Sequence, residues 1–339
     1  MIKYLGSKRA LLPWILEVVE DCAQGEKLHV LDLFSGTSRV GHALKAAGHR
    51  VTANDWNRYA ATLARCYVQA DRSRAAEAEQ LLAELQSLPP REGYFTATFC
   101  EQARFFQPHN GARVDAMRDQ IAAWKCDPEL EAILLTSLME AADRVDSTTG
   151  VQMAYLKEWA PRAHGELSLR MPLLLDRPAA GACLAMQADA REAASAVQAD
   201  LVYLDPPYNQ HKYEGNYHVW ETLVRWDAPE HYGVACKRVD VRERRSGFNS
   251  KPGIAGALTE VVDALQARWA VVSFSDEGFL SRDELEAILS RRGSVQVHER
   301  AHDRYVGAKI GIHNPAGEKV GTVSHTKNRE YLFVVALDV

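Results

Sequence analysis

The chain has 339 residues, 47% apolar and 25% charged, a composition that fits one or two globular domains and excludes wholesale disorder. Acidic residues outnumber basic ones 45 to 40, which excludes a protein that coats nucleic acid by bulk charge but not one with a local basic face. The six scattered cysteines form no CxxC pair, so neither a zinc site nor a disulfide framework is expected, and free thiols fit a reducing cytoplasm.

The opening segment, Met1 to Lys8, lacks the apolar stretch of a secretory signal, and no later run is long enough to span a membrane. Leu28 to Phe34 is an apolar run that reads as a buried parallel strand. Ser35-Gly36-Thr37-Ser38 turns the chain, Arg39 to Ala47 is helical, and Gly48 stops the helix. Arg50 to Ala53 then reads as a second strand, which completes a βαβ unit. From Trp56 to Leu88 the pattern is helical, with further helices over 115–125 and 128–145. Residues 75–181 therefore read as a mainly helical insertion, and as a candidate target-recognition region, between two α/β blocks, 1–74 and 182–339. Asp143 and Asp146 fall three apart at the end of this region and read as solvated or capping acids. Strands are expected over 182–187, 200–204 and 270–274, helices over 259–267 and 282–290, and strands joined by turns over 295–339. Residues 209–256 show little apolar periodicity and read as a long surface segment.

Two stretches carry chemistry. Asp32-Leu-Phe-Ser-Gly36 leaves the carboxyl end of a strand, the edge where open α/β sheets bind ligands. The following helix N-terminus favours an anion, and Asp55 ends the next strand, where an acid commonly accepts ribose hydroxyls. Asp205-Pro-Pro-Tyr208 leaves another strand, and its two prolines stiffen a turn that presents an acid, a carbonyl and an aromatic face together. The twelve histidines show no metal spacing, and no metal is expected.

Taken in order, these motifs resemble those of the Dam-like, alpha-group adenine-specific DNA methyltransferases, especially the FokI-type modification methylases. Tyr4-Leu-Gly-Ser-Lys8 is similar to the family's N-terminal motif that touches S-adenosylmethionine. The segment from Asp32 to Ser38 is similar to its first methyltransferase motif, and Ser38 departs from the glycine found in many members. The resemblance implies a Rossmann-like class I methyltransferase fold. Its seven-stranded mixed sheet would carry helices on both faces and end in an antiparallel hairpin. It also implies cofactor contacts at Tyr4, Gly6, Lys8, Asp32, Phe34, Ser35, Gly36, Asp55, Asp189 and Asp205, with catalysis at Asp205, Pro206, Pro207 and Tyr208. Gly215 to Thr222 and Asn328 to Phe333 look family-like as well. The activity implied is methyl transfer from S-adenosylmethionine to the N6 amine of a flipped-out adenine in duplex DNA.

The DNA contacts expected are Asn209, Lys212, Tyr213, Arg238, Arg242, Arg244, Arg245 and Lys251, the basic ones forming a mobile phosphate clamp. Tyr208, Tyr213, Tyr217 and Trp220 are candidates to line the base pocket, with core packing an equal reading for the last two. A cognate restriction endonuclease is a candidate partner. Ribosomal RNA base methylation, cytosine-amine methylation and a non-catalytic DNA-binding subunit are the competing readings. Intact Asp205 and Tyr208 oppose the last of these, and the missing GxGxxG disfavours a dinucleotide oxidoreductase.

Overall fold

Apolar strand runs alternate their side chains between two faces, so a run without polar gaps must be covered on both. The structure, a computed structural model, describes residues 1–153, 155–303, 312–313, 319–321 and 327–338. Seven strands form its main sheet: β1 (His29–Asp32), β2 (Arg50–Asn54), β3 (Leu184–Met186), β4 (Leu201–Leu204), β5 (Trp269–Ser275), β6 (Gly293–Asp303) and β7 (Lys327–Leu337). Their order is β3-β2-β1-β4-β5-β7-β6. The first five are parallel, and β7 runs antiparallel to both β5 and β6, which is the expected hairpin at the sheet edge. Most of the turn segments expected between 304 and 326 lie outside the described residues.

The alternation sorts the core. Leu31, Val202, Leu204, Val272, Phe333 and Val335 pack beneath α7 (Ala190–Ala196), α9 (Ile254–Ala264) and α10 (Arg282–Leu289). Val30, Val51, Leu201, Val271, Leu332 and Val334 pack on the opposite face, against α1 (Leu12–Ala23) and α2 (Arg39–Ala46). Helix α1 lies outside the predicted elements. Its apolar residues Trp14, Ile15, Val18 and Val19 recur at helical spacing and are buried.

The insertion is helical: α4 (Ala75–Ser87), α5 (Pro108–Trp124) and α6 (Pro128–Arg144). The helix expected over 56–88 is interrupted. Helix α3 (Arg58–Ala64) runs into a wide turn over Arg65–Gln69, and Asp71 caps a short turn before α4 begins. Helix α5 starts at Pro108, earlier than predicted. Asp143 and Asp146 are buried rather than solvated: Asp143 accepts the Lys3 N–H at 3.0 Å, and Asp146 pairs with Lys3 at 3.0 Å and Arg162 at 2.7 Å. The two acids tie the amino-terminal segment to the insertion.

Residues 209–256 differ most from expectation. They contain α8 (His218–Arg225), whose Val219, Trp220, Leu223 and Val224 are buried with Phe95, Phe99, Leu138 and Met139 of the insertion. Trp220 and Tyr217 are therefore core residues, each 1% exposed. A two-stranded ribbon, His231–Tyr232 with Lys237–Arg238, follows α8. Arg238, expected on the DNA face, is buried at its root. Its guanidinium donates to Asp227 at 2.6 and 2.7 Å, to Asp240 at 3.1 and 3.0 Å and to Thr222 at 3.3 Å. Those bonds use all of the donors that a guanidinium has, and leave none for a phosphate. The basic stretch is thus a folded segment on a buried anchor, not a loose clamp.

Removing the cation would leave both partly buried carboxylates with Arg225 alone, 3.1 Å from Asp227 and 2.7 Å from Asp240, and would cost them their bonds to Arg238. Arg238→Met should destabilise the protein by about 2 kcal/mol. Urea denaturation of the two proteins checks this, and equal midpoints would contradict the anchoring role.

Candidate functional site

Strands β1 and β4 are neighbours, and the chain crosses to opposite sides of the sheet on leaving them, so a crevice opens at their carboxyl ends. The crevice is open to solvent, and the space between its walls, mouth included, is about 980 Å³. Tyr4, Gly6, Lys8, Asp32, Phe34, Ser35, Gly36, Asp55, Asp189, Asp205, Pro207 and Tyr213 all line it. Residues from four distant stretches of sequence thus meet at one place. Trp56, Asn57, Arg39, Phe248 and Asn249 also line it and were not singled out from the sequence.

The turn after β1 shapes one wall. Gly36 has φ +50°, and a Cβ there would lie 3.2 Å from the Tyr4 ring. Its N–H donates to Asp55 Oδ2 at 3.0 Å, while Asp55 Oδ1 accepts the Asn57 N–H at 2.9 Å. Asp32 Oδ2 accepts the Gly41 N–H of α2 at 3.0 Å. Burial pushes the Asp32 carboxyl up to about 7 and the Asp55 carboxyl up to about 6, against the pull of these backbone donors. Asn54 bonds to the Leu33 and Ala188 carbonyls at 3.2 Å and so fastens the strand ends together. Asp189 lines the crevice and also caps α7, accepting the Arg191 N–H at 2.9 Å.

The other wall is aromatic. Tyr4 stacks against both Tyr213 and Tyr217, with ring centroids 5.1 and 4.7 Å away, and those two lie 6.3 Å from each other, so the three rings form one cluster. The Tyr217 hydroxyl accepts the Leu5 N–H at 2.6 Å. Phe34 meets Phe248 edge to face at 5.3 Å. This places Tyr213 in the crevice wall rather than on an outer DNA face.

At the β4 end, Lys8 is buried and its Nζ lies 3.1 Å from Asp205 Oδ1 and 3.8 Å from Glu330 Oε2. Burial works against the ammonium, but Asp205, the Tyr208 phenol and Glu330 outweigh it, and Lys8 is held well above the usual lysine range. Burial raises the Asp205 carboxyl and Lys8 opposes it. The Tyr208 ring rests against Phe274 at 5.1 Å, with Lys8 Nζ 5.7 Å from its centroid. The backbone of the turn is pinned by the Phe279 N–H, which donates to the Tyr208 carbonyl at 2.8 Å.

The remaining predicted DNA residues separate. Arg242, Arg245, Lys251 and Lys212 are exposed, and Arg242 lies 3.6 Å from the Tyr232 ring centroid. Arg244 is half-buried over Trp56 at 5.3 Å, beside the crevice. The Asn209 carbonyl accepts from Asn249 at 3.0 Å, which holds the 209–211 turn.

Several buried polar atoms of this crevice lack a hydrogen-bond partner among the described residues: Ser35 Oγ, Arg39 Nε and Asn57 Oδ1. They suit a ligand with both donors and acceptors. Asp32, Asp205 and Glu330 outnumber Lys8, so the β4 end suits a cation. Among the described residues no cluster of His, Cys, Asp and Glu could hold a metal, and no helix is long and apolar enough to cross a membrane.

Residues 4–288 match the family described as D12 class N6 adenine-specific DNA methyltransferase. The chain is 31% identical to Type II methyltransferase M.NlaIII of Neisseria lactamica, over 92% of this chain and 95% of that protein. It is 31% identical to Type II methyltransferase M.FokI of Planomicrobium okeanokoites, over 100% of this chain and 53% of that protein. With modification methylase StsI of Streptococcus sanguinis the identity is 28%, over 91% of this chain and 50% of that protein. The chain therefore spans about half the length of the last two and nearly all of the first.

Ser38, the departure in the first turn, sits at φ +59° with its buried Oγ unpartnered. Both the left-handed backbone and the orphaned hydroxyl oppose folding. Ser38→Gly should stabilise the protein by about 1 kcal/mol after the extra freedom of the unfolded glycine is subtracted. Thermal unfolding checks this, and a lower melting temperature would contradict it.

Proposed function

The chain belongs to the D12 class N6 adenine-specific DNA methyltransferase family, and on that premise we propose that it methylates N6 of a specific adenine in duplex DNA through Asp205, Pro206 and Tyr208. The observation that carries this reading is the convergence of Asp205 and Pro207 of the catalytic turn, Lys8 and the Asp32–Asp55 wall on one crevice, with Tyr208 beside Lys8. The family implies S-adenosylmethionine, and the crevice fits it. Asp55 would accept ribose hydroxyls, the acid-rich β4 end would take the cationic sulfur and amine, and Arg39 and Ser35 would meet the carboxylate. When bound, the cofactor supplies a methyl group activated by the positive sulfur.

The amine of adenine is a weak nucleophile because its lone pair is delocalised into the ring. The Asp205 carboxylate and the Pro206 carbonyl accept its two hydrogens and favour a pyramidal nitrogen whose lone pair is free to attack. The double proline removes backbone freedom, so the acceptors are in place before the base arrives. Tyr208, backed by Phe274, offers its other face for stacking. A base inside a duplex must be flipped out, at a cost of about a few kcal/mol. Phosphates beside it are gripped by Arg242, Arg245 and Lys251, with the helical insertion as the element that reads the target. The similarity to Type II modification methylases supports a cognate endonuclease as the biological partner. RNA and cytosine-amine methylation are disfavoured by the family match.

Asp205→Ala should lower methyl transfer by at least about a hundredfold, from lost orientation and electrostatics, with the fold retained by circular dichroism at a lowered melting temperature, because the buried Lys8 ammonium loses its 3.1 Å partner. Transfer of a tritiated methyl group to duplex DNA measures this, and substantial residual activity would remove Asp205 from the mechanism. Replacing Arg242, Arg245 and Lys251 with Ala should weaken DNA binding and flatten its log–log salt dependence by roughly 0.9 for each phosphate no longer neutralised. Cofactor affinity should not change. A parental salt slope would assign DNA binding to another surface.

A further inference from the structure

Glu330 was not among the site residues read from the sequence. Strand β7 runs antiparallel, so its amino-terminal part lies at the edge where β4 and β5 end. There Glu330 faces Ser275 at the end of β5, and its Oε2 is buried without a hydrogen-bond partner among the described residues. Its nearest cation is Lys8, which also holds Asp205. Besides its ion pair with Lys8, this buried carboxylate keeps an oxygen without a hydrogen bond, one cation away from the catalytic acid.

We propose that Glu330, acting through Lys8, is the positioning residue that takes up the proton released from the adenine amine. The inference rests on the role given above to Asp205. Methyl transfer forms the N6–C bond as the S–C bond breaks with its electron pair left on sulfur. The nitrogen then carries one proton more than the neutral product, and Asp205, already accepting from it, receives that proton. Left there, the proton would prevent Asp205 from accepting the next amine. Lys8 gives one of its own protons to Glu330 and takes the proton from Asp205. Lys8 ends as an ammonium, Asp205 as a carboxylate and Glu330 as a neutral acid, which returns its proton to water. Lys8 is within hydrogen-bond reach of Asp205 at 3.1 Å, and its ion pair with Glu330, at 3.8 Å, has to close by less than about 1 Å for the second transfer. The Asp205 side chain is 19% exposed on the crevice side, where the base and cofactor would cover it, and the buried Lys8 lies on its other side.

The surroundings support an acceptor of intermediate strength. Burial pushes the Glu330 carboxyl up to about 7, Asp205 and Asp276 add to the rise, and Lys8 opposes it. The hydroxyls of Tyr203 and Tyr208 face the same lysine. Arg300, the register partner of Glu330 on β6, is drawn away to Glu17 at 2.8 Å and to the Trp14 ring. Glu330 is therefore an acceptor above neutrality and is already protonated below it.

The test is the pH dependence of single-turnover methyl transfer in the full chain. The parent should gain rate as pH rises, on a limb at or below about 7, because the bound cationic cofactor favours the ionised Glu330. Glu330→Gln should lose that limb, retain one at lower pH from Asp205, and react on the order of tenfold more slowly at pH 8. Glu330→Asp, which keeps the acid, should keep a limb and a lowered rate. Each single turnover is run at saturating cofactor, with its affinity measured by calorimetry, so that a loss of cofactor binding is kept apart from the proton step. Carboxyl-labelled glutamate followed by NMR without cofactor should show one side chain titrating near neutrality, absent in Glu330→Gln. A parental pH limb in Glu330→Gln, or an unchanged NMR titration, overturns the proton role. If instead Asp205→Ala remains active, it is the reading of the catalytic turn that fails.

Discussion

A single buried ammonium, that of Lys8, holds the site together. It is delivered by the amino-terminal segment, pairs with Asp205 after β4 and reaches Glu330 on β7. Desolvating one cation and two carboxylates is unfavourable unless each has a partner close by. The segment carrying Lys8 is accordingly fixed on every side. Lys3 is tied to Asp143 and Asp146, the Leu5 N–H to Tyr217, and Tyr4 is stacked against two tyrosine rings. These contacts come from the insertion and from the stretch around α8, so both are needed to place one lysine.

That dependence explains why the helical insertion is not an appendage. Its phenylalanines and the apolar side of α6 share one core with α3 and α8. The sheet supplies the carboxyl-end crevice, and the insertion supplies the floor against which the aromatic wall is set. The ribbon after α8 is anchored by Arg238, whose bonds to Asp227 and Asp240 leave the exposed cations Arg242, Arg245 and Lys251 on a folded support. A basic surface held in shape pays less ordering entropy on binding a phosphate backbone than a loose segment would.

The crevice also carries more acid than base at its β4 end. Burial holds Asp32 and Glu330 near neutrality in the absence of a bound cation. A positively charged ligand favours their ionised forms, so the electrostatics of the site are completed by what it binds. The left-handed Ser38 in the neighbouring turn is a second departure from a relaxed fold, and it too lies at this edge.

The strands, the βαβ unit, the insertion and the two chemical turns were legible because each depends on local pattern: apolar runs at strand length, a Gly-containing turn, an acid before two prolines. Asp32, Asp55 and Asp205 could be placed together because strand carboxyl ends share one edge of a parallel sheet. Helix α1 and helix α8 were missed because short apolar spacings interrupted by charges carry little signal until a partner face is known. Arg238 was misread because charge in sequence does not distinguish a solvated arginine from one enclosed by carboxylates. Glu330 lies in the stretch from Asn328 to Phe333 that looks family-like, but its neighbours in sequence give it no place in the site. It joins the site only because β7 enters the sheet antiparallel, which brings the start of that strand to the edge where the parallel strands end. Local chemistry determined which turns could react. Burial, pairing and strand direction, which depend on residues far apart in the chain, decided which charges face the crevice and which are used to build it.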